Sequence, residues 1–473
     1  MRLRLLAGSL LCIAAGSAGA QAAQSVAGQG AQVRIDYIED QLPNGLKVLY
    51  HVDHSTPVAA VVLWYNVGSK NEQKGRTGFA HLFEHMMFQG SKNVAKLQHF
   101  ALLEAAGGRG GADINGTTSN DRTNYFEQVP SNQLELALWL EADRMGTLLE
   151  TVDLAKLDNQ REVVKNERRQ GVDNQPYGTW QERVQAAMFP AGHPYHHPVI
   201  GSMEDLSAAT VGDVHNFFKT YYAPNNAVLV IAGDIDVNQA KALVRKHFGG
   251  IARGPAVPPL ANMAVPAVVG REQRFVVDDP LAPSPAVFVA YRAPPAKDRR
   301  GPAVELLGSV IGSGRSSRLY DALVRKQQVA TQVGGFNFGF VDGADMLVFL
   351  AIGKPGSSAD SLEKALLGEL ANVGGNFTQA DLDRVRAQER FSFVNGLQTT
   401  GGFGGRADRL AEGWTFYRDP NHVNKVLGEY DRVTLADLNA LARERLLPTN
   451  RVVAVYQPVK KPAPTTTSSS GTK

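Results

Sequence analysis

The chain is poor in cysteine, in long apolar runs and in charge of one sign, and each shortage removes a class of function. One cysteine, Cys12, occurs in 473 residues. It lies in the leader described below, so disulfide scaffolds, thiolate zinc sites and cysteine nucleophiles are excluded from the mature protein. The one apolar stretch near the start, Leu5 to Ala15, is short, and no later run has the roughly 20 residues a membrane-spanning helix needs. Lys and Arg number 49 against 46 Asp and Glu, a formal charge of +3. That near balance, without a basic stripe carrying interleaved aromatics, argues against nucleic acid as a partner.

The first residues form an export signal. Arg2 and Arg4 supply a positive end, Leu5 to Ala15 an apolar segment, and Ala18-Gly19-Ala20 a cleavage site, with Ala20-Gln21-Ala22 as an alternative. Residues 1–20 are therefore expected to be a signal peptide. Leu11 before Cys12 argues against a lipoprotein signal. The expected location is the periplasm, with no membrane span after cleavage. The remaining chain, 43% apolar overall, is long enough for two domains, each with its own core.

Histidine is also sparse, at eleven residues, yet two of them stand in His81-Leu82-Phe83-Glu84-His85. On a helix, His81 and His85 are four residues apart and project from one face toward a single ion. Glu84 lies on the same side without being needed as a ligand. Two imidazoles and a free carboxylate suit a catalytic zinc, the carboxylate acting as general base on bound water. The order His-x-x-Glu-His is the reverse of the zincin motif. His193, His196 and His197 lie among Pro190, Pro194 and Pro198, where loop histidines are usually solvated or hydrogen-bonded, and are not assigned to a metal.

An internal repeat sets the domain count. Thr210-Val-Gly-Asp213 and Thr434-Leu-Ala-Asp437 both read as capping boxes opening a helix. Each helix leads to a proline (Pro224, Pro448), an asparagine (Asn226, Asn450) and an apolar strand, Ala227 to Ala232 or Arg451 to Tyr456, all at one constant offset. The expected domains are residues 34–248 and 271–458, joined by a Pro/Gly/Ala-rich linker at 249–270 and followed by a Thr/Ser-rich, disordered tail at 459–473. Within the first half, strands are expected at Leu46–Val52 and Val58–Val67, and helices around Phe79–Met87, Lys96–Ala106, Asn132–Leu149 and Asp153–Arg169. Ser131, after Val129-Pro130, offers an N-cap to the third helix. The fold class is α+β.

With its flank Met86-Met87-Phe88-Gln89-Gly90-Ser91, the histidine motif is similar to the inverzincin signature of the M16 zinc metallopeptidases. Asn115-Gly116-Thr117-Thr118, Glu162 to Arg169, and Tyr221 to Asn226 add to the resemblance, which runs from Ile35 to Tyr456. It implies Zn2+ as cofactor and two homologous α/β-layered domains forming half of a clamshell chamber. The first would bear the zinc; the second, lacking His-x-x-Glu-His, would be inactive. A second M16-type subunit, in a homodimer or heterodimer, would complete the chamber. The implied activity is endopeptidase cleavage of peptides or unfolded segments, with Glu84 activating the water. A non-catalytic core or peptide-binding subunit is the alternative, against which the intact motif argues.

The third ligand stays open between two glutamates. Glu162 stands at the spacing common in the family, whereas Glu167 has the better local match. On a helix Val163, Val164 and Glu167 share a face, and Glu162 points about 140° away from Glu167. Glu167 is therefore preferred. Gln160 occupies a position where the family usually has a glutamate. The resemblance further implies that Asn115, on an edge strand, contacts the substrate backbone. Phe88 reads either as a substrate-pocket wall or as a core aromatic. Arg325 matches a substrate-gripping arginine, but Gln332 stands where its tyrosine partner is expected.

Overall fold

The computed structural model of the chain describes residues 33–459. The expected signal peptide, and the expected tail beyond Val459, lie outside the described residues.

Six strands build the first sheet: β1 (Ile38–Gln41), β2 (Lys47–Val52), β3 (Val58–Tyr65), β4 (Ile114–Thr118), β5 (Thr123–Pro130) and β6 (Ala227–Gly233). Their spatial order is β1-β2-β6-β3-β5-β4, which leaves β1 and β4 at the edges. Gly45, at φ +94°, closes the turn between β1 and β2, where an L side chain would be strained. β3 and β6 are apolar and almost wholly buried because both faces of the sheet are covered.

The second sheet contains β7 (Gln273–Asp279), β8 (Ala286–Ala293), β9 (Ala330–Asn337), β10 (Asp345–Gly353) and β11 (Arg451–Pro458), in the order β7-β11-β8-β10-β9. It repeats the first sheet without β1. The parallel pair β2/β6 recurs as β7/β11, and the antiparallel neighbours follow in the same sequence. Both expected capping boxes form: Thr210 with Asp213, and Thr434 with Asp437, each pairing side chain and backbone reciprocally.

Each half lends the other a helix. The Trp180–Met188 helix packs on β8 and β11 of the second sheet, where Val184 and Met188 meet Phe288, Met346 and Tyr456. The Arg406–Glu412 helix packs on β3 and β6 of the first. Both sheets thus have two covered faces, and the halves share apolar surface instead of touching edge to edge. Residues 249–270 carry no helix or strand but are tied down, with Asn225 bonding Gly254 and Pro255, and Arg292 bonding Pro266.

The first-half helices that position the site are α1 (Phe79–Met86), α2 (Gln98–Ala105), α3 (Leu134–Thr147) and α4 (Leu154–Arg168). Ser131 does not cap α3. A 3-10 turn at Ser131–Gln133 intervenes, and its hydroxyl bonds Asp234 at 3.1 Å instead. Phe88 is half-buried and packs against the core: it stacks on Phe100 at 4.8 Å, with the Arg144 guanidinium 5.0 Å from its ring.

Candidate metal centre

Helix α1 is only eight residues long and buries Phe79, Ala80, Leu82, Phe83 and Met86, which leaves His81 and His85 on its open side. A helix this short needs its free N–H groups satisfied. Its N-cap is Gly78, at φ +86°, which has no side chain to offer. The cap comes from Glu72, six residues earlier. One carboxylate oxygen accepts from the Gly78 N–H at 2.9 Å and the other from the Ala80 N–H at 2.8 Å. The Glu72 side chain is fully buried, and His197 Nε2 bonds it at 2.8 Å. Burial raises the Glu72 carboxyl above its usual range. For His197, burial pulls downward but the Glu72 bond and charge prevail, so the imidazole is raised. Nothing in the sequence pattern singles out Glu72, because its ligands are backbone groups.

Helix α4 packs against α1. Its buried residues Leu157, Gln160 and Val164 define one face, and Glu167 continues that face toward the histidines. The three donor atoms converge. His81 Nε2 and His85 Nε2 are 3.3 Å apart, and one Glu167 oxygen is 3.3 Å from the His85 nitrogen and 3.6 Å from the His81 nitrogen. For a tetrahedral zinc with bonds near 2.0–2.1 Å, neighbouring ligand atoms should be about 3.4 Å apart. The donor set and its spacing therefore fit zinc. Glu162 is exposed and paired with Lys165 at 3.0 Å, away from the histidines. Gln160 is buried and hydrogen-bonds His85, so the amide can orient that ring as a carboxylate would, without the charge.

The electrostatics divide the two imidazoles: burial lowers both, but the Glu167 bond and charge prevail at His85 and raise it, whereas His81 is left toward the neutral form. Burial, helped by His85, pushes His81 down to about 4. Burial raises Glu84 above its usual range, while the Thr118 hydroxyl, donating to Glu84 Oε2 at 2.7 Å, pulls the other way. Thr118 ends edge strand β4. Gly116 lets that strand lie close to α1, since a Cβ there would stand 3.3 Å from Glu84 Cγ and 3.0 Å from the Tyr125 ring. His81, Glu84, Thr117, Thr118, Glu182 and Ile200 line a cavity of about 380 Å3 beside the donors. Past Glu167 the chain widens into a π-helical turn, Arg169–Asp173, and Val172 forms part of the same wall.

Asn115 lies on β4, as an edge position requires, but its side chain is turned to its own loop, donating to the Gly111 carbonyl at 3.1 Å and accepting from the Gly116 N–H at 2.8 Å. Arg325 is in the second half, exposed, and paired with Asp321 at 3.2 Å; it is not part of this cavity. Gln332 is on β9, the edge strand of the second sheet. The three loop histidines have separate partners: His193 the Met263 carbonyl, His196 the Phe189 carbonyl, His197 Glu72.

Comparison with known proteins identifies the family and the fold. The family model described as Insulinase (Peptidase family M16) matches residues 47–201, and that of the Peptidase M16 inactive domain matches residues 208–389. The zinc protease PqqE of Helicobacter pylori is 30% identical over 421 residues, covering 88% of this chain and 92% of its own length. An uncharacterized zinc protease of Mycobacterium leprae is 29% identical, covering 86% and 88%. The crystal structure of a protease from H. pylori superposes with a TM-score of 0.80 at 29% identity, over 90% of this chain and all of that one. The first half of PqqL, titled a periplasmic protease of Escherichia coli, shares the fold with a TM-score of 0.69 at 20% identity, over 90% of this chain and 93% of that one. The donor cluster, the duplicated sheets and these matches lead to one assignment: the chain belongs to peptidase family M16.

Proposed function

We propose that the chain is a zinc-dependent endopeptidase that hydrolyses peptides or unfolded segments inside a closed chamber completed by a second M16-type subunit. The observation that carries the reading is the spacing of the His81, His85 and Glu167 donors, with Glu84 free beside them. When bound there, zinc would supply Lewis-acid polarisation of the scissile carbonyl and acidify water. Glu84 is the proton carrier. Thr118 holds its Oε2, so Oε1 is left to take a proton from the attacking water and pass it to the leaving amine. A carboxyl raised by burial gives up that proton less readily to bulk water, which suits a shuttle working near neutral pH.

The outer edge of β4 past Ile114, whose own groups are bonded to Arg109 and Gly111, offers main-chain groups to an extended peptide, a mode that reads backbone shape more than side chains. The Asn115 backbone faces Phe126 of β5, so Asn115 would contact the peptide through its side chain, released from Gly111 and Gly116, and the main-chain groups turned to the edge are those of Gly116 and Thr118. Arg325 would act from the opposite wall of the chamber. With Gln332 in place of a tyrosine, we assign the missing member of that pair to a partner chain. The leader and the relative titled a periplasmic protease support a periplasmic location; among the described residues no helix is long and apolar enough to cross a membrane.

The test is metal content and fluorogenic-peptide turnover of the mature chain, alone and with candidate partner subunits. Near-stoichiometric zinc and chelator-sensitive turnover are expected. Glu84→Gln should keep zinc and lose turnover, Glu167→Gln should lose zinc, and Glu162→Gln should change neither. Absence of zinc from every form, or turnover that survives Glu84→Gln, would refute the reading.

A further inference from the structure

The β4–β5 hairpin carries both Thr118 and the edge assigned above to the peptide, and the second half of the chain grips it at two points. At the tip, Asp121 is buried. One of its oxygens accepts from Lys70 Nζ at 2.8 Å and from the Tyr195 hydroxyl at 2.5 Å, and the other accepts from the Val341 N–H at 3.2 Å, in the β9–β10 connection. The neighbouring Asp342 donates its N–H to the Tyr195 oxygen at 3.2 Å and pairs with Lys70 at 3.3 Å.

The second grip is on the stem. Asp408, in the Arg406–Glu412 helix, accepts from Trp64 Nε1 at 2.8 Å and Asn124 Nδ2 at 3.2 Å; its other oxygen accepts from the Gly404 N–H at 2.8 Å. The Asn124 side-chain oxygen in turn accepts from the Thr117 hydroxyl at 2.6 Å. Arg122, stacked 5.1 Å from the Trp64 ring, donates to both the Thr117 carbonyl at 2.9 Å and its hydroxyl at 2.6 Å. Asp408 therefore stands two hydrogen bonds from Thr117, and the next residue is the one that holds Glu84. Successive strand side chains point to opposite faces. One face of β4 is thus referenced to α1 through Thr118 and Glu84, the other to the second half through Thr117.

A five-residue strand whose outer side is bonded only at Ile114, by the 109–111 loop, is among the easier elements of a sheet to open. We propose that the second half, which has no histidine–glutamate motif of its own, serves as a brace for β4, with Asp408 as its positioning residue. The brace keeps the strand where it can pair with an extended peptide and present Thr118 to Glu84. The role toward peptide rests on the peptidase reading; the restraint of the strand does not.

The test is Asp408→Asn in the full mature chain, a substitution that keeps the volume but sets an amide group against the donors around it. Hydrogen exchange at the β4 amides paired to β5 should rise roughly tenfold, the effect of losing a charged hydrogen-bond acceptor. KM for a fluorogenic peptide should rise by a similar factor while kcat changes less, and zinc content should stay at the wild-type value. Combining it with Asn124→Asp reverses donor and acceptor across one of the bonds and should recover part of the KM loss. Wild-type exchange and wild-type KM in Asp408→Asn would overturn the proposal. So would a rise in exchange spread evenly over both halves with loss of zinc, the mark of general destabilisation. If the wild-type chain cleaves no peptide either alone or with candidate partner subunits, the peptidase reading fails, and localised exchange at β4 still decides the brace.

Discussion

Removing the Glu72 carboxylate should weaken metal binding even though Glu72 does not face the ion. Helix α1 carries two of the three donors, and its N-terminal N–H groups at Gly78 and Ala80 both end on Glu72. Glu72→Ala deletes two charge-assisted bonds and leaves the half-buried His197 without its carboxylate partner. Breaking a buried pair from one side typically costs about 3–5 kcal/mol, and about 4 kcal/mol is expected here. Glu72→Gln is gentler. Its single carbonyl oxygen can serve one of the two N–H groups while its NH2 opposes the other, for a loss of about 2 kcal/mol. A loosened α1 no longer holds His81 and His85 at ligand spacing, so zinc affinity should fall by about 10–100-fold in either variant, as for groups that orient ligands. Competition against a chelating indicator gives the affinity, and urea unfolding of the metal-free chain gives the stability. Wild-type zinc affinity in Glu72→Ala would refute the argument that the cap sets the site.

Three further outcomes follow from other parts of the molecule. Thr118→Val removes a hydrogen bond that favours the ionised form of Glu84, so the acid limb of kcat/KM against pH should move upward with zinc retained. Arg144→Met leaves Glu127 and Glu141, both buried, without the guanidinium that bonds them; chemical denaturation should show a loss of about 4 kcal/mol. Glu305, bonded by the Tyr430 hydroxyl, is pushed by burial up to about 7 from 4.5. Between those values the folded chain holds a proton that the unfolded chain has released, so this residue makes stability fall as pH rises through the window. Glu305→Gln should flatten that slope and gain at most about 3 kcal/mol above it, read from unfolding midpoints across pH.

What was legible in the sequence was whatever depended on local spacing. The four-residue step from His81 to His85, the face shared by Val164 and Glu167, and the two Thr-x-x-Asp boxes all act within one helix or one turn, so pattern sufficed. The same reasoning chose Glu167 over Glu162, and the structure brings Glu167 to the histidines while Glu162 faces solvent beside Lys165. What escaped depends on groups distant along the chain. Glu72 meets His197, Asp121 meets Val341, and Asp408 meets Asn124, each across a fold that spacing does not encode. Ser131 carried a capping signal that a 3-10 turn and the nearby Asp234 diverted. The exchange of helices between the halves was likewise invisible, since the Trp180–Met188 helix is an ordinary amphipathic segment until the partner sheet is known.

The placement of β6 and β11 has a consequence for how the chain comes together. Each is the final strand of its sheet to be synthesised, yet each inserts between strands made much earlier. Neither sheet can close from its beginning onward: β2 and β3 wait for residues 227–233, and β7 and β8 wait for 451–458. Such distant pairings are slow to form and leave apolar strand edges uncovered in the interval. An emerging chain would therefore pass through two such intervals, the second ending only with β11. The first sheet also relies on the Arg406–Glu412 helix for its cover, so a break in translation shortly before β11 would leave an otherwise intact first half attached to a sheet that cannot close, a species fit for quality-control proteases rather than for work.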